Sequence, residues 1–225
     1  MTADSASINL THHFLIAMPG LEDAAFAKSV VYVCEHSERG ALGLVINKPS
    51  DLSMEGLFDK VDLPLHRQDL MAAPVLQGGP VHTERGFVLH DAMVIDAQPP
   101  AASDEAAQED VTEAAQEAAA LSAVSDKESV YASTMTIPGG LEMTTSKDVL
   151  EAIANGSGPK RVLVTLGYAS WGEGQLESEI VENSWLTVEA DPSIIFDTPI
   201  EQRYEKALAL LGLQPWMLLT EAGHA

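Results

Sequence analysis

Cys34, the single cysteine of the chain, ends the apolar run Ser29-Val30-Val31-Tyr32-Val33-Cys34 and stands two residues before His36. A thiol with a histidine in reach is a candidate nucleophile, because the thiolate is the reactive form and a neighbouring base or cation lowers its pKa. Side chains two apart on a strand share a face, so Cys34 and His36 meet if extended backbone persists through Glu35. Two other readings stand beside this one. A cysteine at the end of an apolar run is often a small buried hydrophobe, and the same sulfur could serve redox sensing.

A second set of residues suits binding. Asn47-Lys48-Pro49 and Gly78-Gly79-Pro80 both fall where strands end, and successive backbone N–H groups there could cradle an anion; Asn, Gly and Pro are also what ordinary turns demand. The strongest signal is Gly167-Tyr168-Ala169-Ser170-Trp171-Gly172-Glu173-Gly174-Gln175-Leu176-Glu177, where the apolar strand Arg161 to Leu166 is expected to break into a glycine-rich turn. Glycine opens backbone angles closed to other residues and lets backbone approach a neighbour closely. Trp171 could stack on a ligand or pack in the core, and Gln175 falls at a helix start, where an anion is favoured. Asn47, Gly78, Gly79, Tyr168, Trp171 and Gln175 are therefore the candidate ligand-binding residues, expected to share one cleft.

Other chemistries lack their signatures. The glycine turn has neither the G-x-G-x-x-G order nor the Gly-Lys-Ser/Thr ending of a phosphate loop, and no cofactor is expected. His12, His13, His36, His66, His82, His90 and His224 have no metal-ligand spacing. No G-x-S-x-G elbow is present, and Glu177 and Glu179 at a helix start are accounted for by the helix dipole. No catalytic residue is assigned beyond the candidates Cys34 and His36.

The elements that must position these residues are mostly short strands. Ser29–Cys34 and Ala41–Ile46 flank a polar turn at Ser37 to Gly40, the pattern of a hairpin. Pro74–Gln77 and Gly86–His90 follow with few helices between, so antiparallel pairing is favoured over a doubly wound sheet. Leu52 to Val61 suits a short edge helix. Tyr131 to Ile137 reads as a strand, and the helix after it runs from a hydroxyl cap to Gly156. A further helix spans about Gln175 to Asn183. Thr198-Pro199 opens a last helix through Leu211, with Tyr204, Leu208 and Leu211 on its apolar face.

Composition bounds the partners. The chain has 225 residues, 46% of them apolar, and 34 acids against 12 Lys and Arg, for a net charge of −22. Scattered basic residues on so acidic a chain speak against direct nucleic-acid binding, which needs clustered Lys and Arg. No apolar run reaches membrane-span length and the N-terminus lacks a signal-peptide pattern, so a cytoplasmic protein without membrane partners is expected. Residues 98–129 are Ala-rich, with eight acids and one lysine. They form an acidic insertion, solvated helix or disordered, within a single domain spanning 9–220.

Six separated blocks carry a family resemblance: Phe14-Leu15-Ile16-Ala17-Met18-Pro19; Ser29 to His36; Gly40 to Pro49; Gly78-Gly79-Pro80-Val81; Leu89-His90; and Gly167 to Gly172 running into Gln175-Leu176-Glu177. In this order they resemble the bacterial AlgH/YqgE family. The resemblance implies a single α+β domain on a mixed, strongly bent β-sheet with flanking helices. It also implies a role in regulating gene expression, that of alginate biosynthesis genes in pseudomonads; the negative charge and absent catalytic motifs make an indirect route the expectation, through an unknown protein or small-molecule partner. The acidic insertion departs from the family's usual pattern. The alternative is a small-ligand sensor or enzyme using Cys34, His36 and the glycine-turn cleft.

Overall fold

The computed structural model describes residues 9–93 and 129–218; the acidic insertion, apart from its last residue Ser129, lies outside the described residues. The first apolar runs form β1 (His13–Ala17), β2 (Val30–Ser37) and β3 (Gly40–Val45), an antiparallel meander in which Ser37 pairs with Gly40 across the expected polar turn. There follow β4 (Pro49–Ser53) and α1 (Met54–Lys60), where Ser53 caps the helix by accepting the Gly56 amide. Next come α2 (Gln68–Met71), β5 (Pro74–Gln77) and β6 (Val81–Asp91). The second half contains β7 (Thr134–Ile137), β8 (Leu141–Thr144), α3 (Lys147–Ala154), β9 (Val162–Trp171) and α4 (Gln175–Val181). It ends with β10 (Trp185–Glu189), α5 (Pro192–Phe196) and α6 (Arg203–Leu210).

The strands join in the order β10-β1-β2-β3-β9-β6-β8-β7, with β5 added parallel to β9 and β4 antiparallel to β5. The expected α+β architecture, a mixed and strongly curled sheet flanked by helices, is what the chain forms. β9 is its hub. Its first half lies between β6 and β5, and its second half pairs with β3 through Ala169↔Gly43 and Trp171↔Ala41.

Alternation along the strands sorts the apolar side chains into three clusters. Phe14, Tyr32, Leu44, Leu76 and Leu89 face one core, closed by Ile194 and Ile195 of α5 and Ala207 and Leu208 of α6. On the other face, Val31, Val33, Ala169 and Trp171 pack with Leu176 of α4, while Val88 and Val164 pack with Phe58 of α1 and Ile153 of α3. Full burial of each large apolar side chain contributes about 1.5–3 kcal/mol.

The expected turn after Leu166 does not form in β9. The strand continues through Gly167, which adopts φ 73°, to Trp171. The register shows where the irregularity goes: Val81 pairs with Tyr168 and Gly86 with Leu166, so the four residues 82–85 of β6 bulge out opposite Gly167 alone. A second difference concerns the last helix, which opens as a 3-10 turn at Ile200–Gln202 and becomes α-helical at Arg203. The strands β1, β8 and β10 and the helices α2 and α5 form where no element is expected from sequence, and β4 takes Leu52 and Ser53 from the start of the expected Leu52 to Val61 helix.

Candidate functional site

β2 determines the fate of the thiol. Val33 pairs with Gly43 and Glu35 with Leu42, leaving Cys34 as an extra residue without a partner. This bulge reverses the alternation. Cys34 turns into the core with Tyr32 and Leu42, whereas His36, paired with Ala41, lies on the opposite face. The condition for a Cys34–His36 pair, unbroken strand geometry through Glu35, is not met. Cys34 is 2% exposed and burial raises its pKa, with the Glu35 charge adding to the effect. A protonated, enclosed thiol of this kind is a poor nucleophile.

His36 is held by structure on both ring nitrogens. The Leu10 amide donates to Nδ1 at 3.0 Å, which leaves the proton on Nε2, and Nε2 donates to Glu177 Oε1 at 3.0 Å. The helix carboxylates therefore have specific tasks beyond the dipole. Glu177 orients His36, and Glu179 Oε2 accepts the indole N–H of both Trp171 and Trp185, at 2.9 and 2.8 Å. Trp171 is 5% exposed and packs against Phe26 and Trp185. Gln175 is also engaged: its Oε1 accepts the Gly172 amide and its Nε2 donates to Glu179. Trp171 thus belongs to the packing beneath α4, and the exposed Gln175 ties the start of that helix to Gly172 and Glu179.

The other glycines do converge. A Cβ on Gly78 would stand 2.1 Å from the Gly167 carbonyl oxygen, and one on Gly79 would stand 2.2 Å from the Tyr168 carbonyl carbon. One on Gly167 would meet the Gly79 carbonyl oxygen at 2.6 Å. Three glycines thus let the end of β5 cross β9 at backbone contact, a use of glycine that no side chain can replace. Gly78 is tied in on both sides, since its amide donates to Leu166 O and its carbonyl accepts from the Val45 amide. Asn47 clamps the neighbouring loop: Oδ1 accepts the Val30 amide at 2.8 Å and Nδ2 donates to Lys28 O at 2.9 Å, holding Lys28 at φ 55°.

Beside the crossing is a concavity of about 310 Å³ lined by Ala25, Lys48, Ser50, Gln77, Gly79, Pro80, Thr83 and Leu166. Lys48 supplies its cation. Its Nζ donates to Ala24 O at 3.0 Å, and burial lowers its pKa while Asp23 opposes the shift. Tyr168, packed on Phe87, carries the exposed His82 ring stacked at 5.9 Å between centroids. Of the candidate residues, the crossing gathers Gly78, Gly79 and Tyr168. Lys48 and Thr83 complete the concavity, and Lys48 was legible only as the middle of a turn motif.

Among the described residues, no group of three His, Cys, Asp or Glu side chains is placed to hold a metal ion. No described helix is long and apolar enough to cross a membrane.

Comparison with known proteins agrees over nearly the whole chain. A family model described as AlgH-like matches residues 14–216. A UPF0301 protein of Paracidovorax citrulli is 70% identical over 225 residues, and one of Polaromonas sp. is 66% identical, each covering 100% of both chains. The solution structure of the AlgH protein from Pseudomonas aeruginosa is 42% identical, covers 98% of each chain and superposes with a TM-score of 0.65. A crystal structure of a Corynebacterium diphtheriae protein, 19% identical with a TM-score of 0.58, shares the fold across 88% of this chain and 85% of its own. The chain belongs to the AlgH-like family.

Proposed function

We propose that this chain is a cytoplasmic regulatory protein that acts on gene expression indirectly, through a partner or small molecule received in the concavity beside the glycine crossing. One observation carries the reading: Lys48 and the Gly79-Pro80 backbone line an open concavity, whereas Cys34 and His36 face apart and are committed to packing and hydrogen bonds. A volume of about 310 Å³ lies at the lower end of small-ligand sites, roughly 300–1,000 Å³. The net charge of −22 disfavours direct contact with a phosphate backbone.

The test joins two measurements. Deleting the gene should change transcript levels, and the purified protein should fail to retain duplex DNA at physiological salt. Retention that falls steeply as salt rises would overturn the indirect route, and an unchanged transcript profile would overturn regulation itself.

A further inference from the structure

Arg203, the first residue of α6, is 7% exposed. Its Nε donates to Thr198 O at 3.1 Å and its Nη1 to Ile46 O. Among the described residues it forms no ion pair, and its Nη2 has no hydrogen-bond partner. Burial lowers its pKa to about 10, opposed only by the Glu201 charge. The residue is largely buried, yet its unpartnered Nη2 is not enclosed, so it remains reachable from the cavity. The guanidinium still has three N–H groups to offer beyond its two carbonyl bonds.

Arg203 lines a pocket of about 240 Å³ whose other walls include Leu76, Leu163, Ile195, Phe196 and Ile200. The other charged side chain of its lining, Asp69, is engaged by Arg67, with Nη2 to Oδ2 at 2.5 Å and Nε to Oδ1 at 3.2 Å. Nearby Arg161, whose guanidinium lies 5.0 Å over the Phe196 ring, is bound to Asp91. Among the described residues Arg203 is thus the charged lining residue without an ion pair, and it shares the cavity with the apolar walls Leu163, Ile195 and Phe196. We propose that this pocket binds a small monocarboxylate with an apolar body, its carboxylate on Arg203 and its hydrocarbon against Leu163, Ile195 and Phe196. A single guanidinium fork matches one planar carboxylate. Arg203 is the one cationic lining residue, which suits a monoanion better than a phosphate dianion, and the volume suits a short acid. This site is separate from the Lys48 concavity and does not depend on the function proposed for it.

The experiment is a methyl-resolved NMR titration of the full chain with hexanoate, benzoate, hexanol and inorganic phosphate. Hexanoate or benzoate should shift the Ile195, Ile200 and Leu163 methyls saturably. Hexanol should bind at least tenfold more weakly, about 1.4 kcal/mol, and phosphate should leave these methyls unmoved. Arg203→Lys should weaken carboxylate binding about tenfold by removing the planar fork. Ala73→Phe, which fills the pocket and leaves Arg203 in place, should abolish binding while the rest of the spectrum stays native. Hexanol binding as tightly as hexanoate, phosphate producing the same shifts, or neither acid binding the folded wild-type protein would each overturn the proposal.

Discussion

The bulge at Cys34 and the crossing at Gly78, Gly79 and Gly167 both interrupt a strand, with opposite consequences. At Cys34 one extra residue on β2 sends the thiol and the imidazole to opposite faces, and each is absorbed into packing or hydrogen bonds. At the crossing, three residues without side chains bring two backbones into contact, and the displaced neighbours frame a concavity with a lysine in it. The thiol is enclosed at its bulge, whereas Lys48 beside the crossing is partly exposed. Residue type alone does not distinguish the two, because a shift of one position inverts every face of a strand.

The largest expected effect breaks the crossing. Gly79→Ala puts a Cβ 2.2 Å from the Tyr168 backbone at φ 155°, so it should destabilise by more than about 4 kcal/mol or fail to fold. Gly86→Ala, with nothing within 4 Å of the added carbon, should change stability by less than about 0.5 kcal/mol. Thermal or denaturant unfolding of the pair checks whether close approach, rather than glycine as such, is required.

Glu179→Ala comes next, leaving the Trp171 and Trp185 indole N–H groups without their shared acceptor. A loss of about 2–3 kcal/mol is expected, with a change in tryptophan fluorescence. Retention of both stability and emission would show that the pair does not depend on this carboxylate.

On the Cys34 side the expected effects are smaller and depend on pH. The native thiol stays protonated above its ordinary value of 9.0 because it is buried, whereas the unfolded thiol ionises near that value. Unfolding then releases a proton, so this group contributes stability that is full below pH 9 and declines as pH rises, by up to about 1.4 kcal/mol per pH unit. Comparing denaturant midpoints of the wild-type protein and Cys34→Ala between pH 7 and 10 reads the slope due to Cys34 together with its coupling to Tyr32, whose upward shift comes first from burial and then from the Cys34 charge. Thiol reagents at pH 8 should react only on unfolding. The smallest effect belongs to Lys48→Ala, whose partly exposed ammonium bonds one loop carbonyl. Its stability should stay within about 0.5 kcal/mol of the wild type.

Much of the fold was legible because local patterns agree with it. The β2–β3 hairpin, α3 and β5 follow from β-branched runs, helical periodicity and glycine stops, and α1 falls within the expected edge segment, although Ser146 makes no side-chain cap bond at α3 and the capping serine is Ser53 of α1. The hidden parts depend on partners far along the chain. β10 is a short strand that exists by pairing with β1. Gly167 reads as a turn glycine, yet it stays in the strand, opposite the bulge of β6 and in close contact with Gly79, almost 90 positions away in sequence. The site followed the same division: Gly78, Gly79 and Tyr168 were visible as a cluster of turn chemistry, while the roles of Glu177 and Glu179 required knowing that α4 docks on His36 and two tryptophans. Arg203 had a fainter signal, a charged residue four positions before Ala207 on the buried stripe of α6.

Complementation in a deletion strain decides between the Lys48 concavity and the Cys34 thiol as the route to regulation. Transcript levels would be measured with the wild-type protein, Cys34→Ala and Lys48→Glu supplied at equal abundance, each variant verified as folded. Cys34→Ala should restore the wild-type profile and Lys48→Glu should leave the deletion profile. Full restoration by Lys48→Glu, or loss of restoration by a folded Cys34→Ala protein, would contradict the route through Lys48.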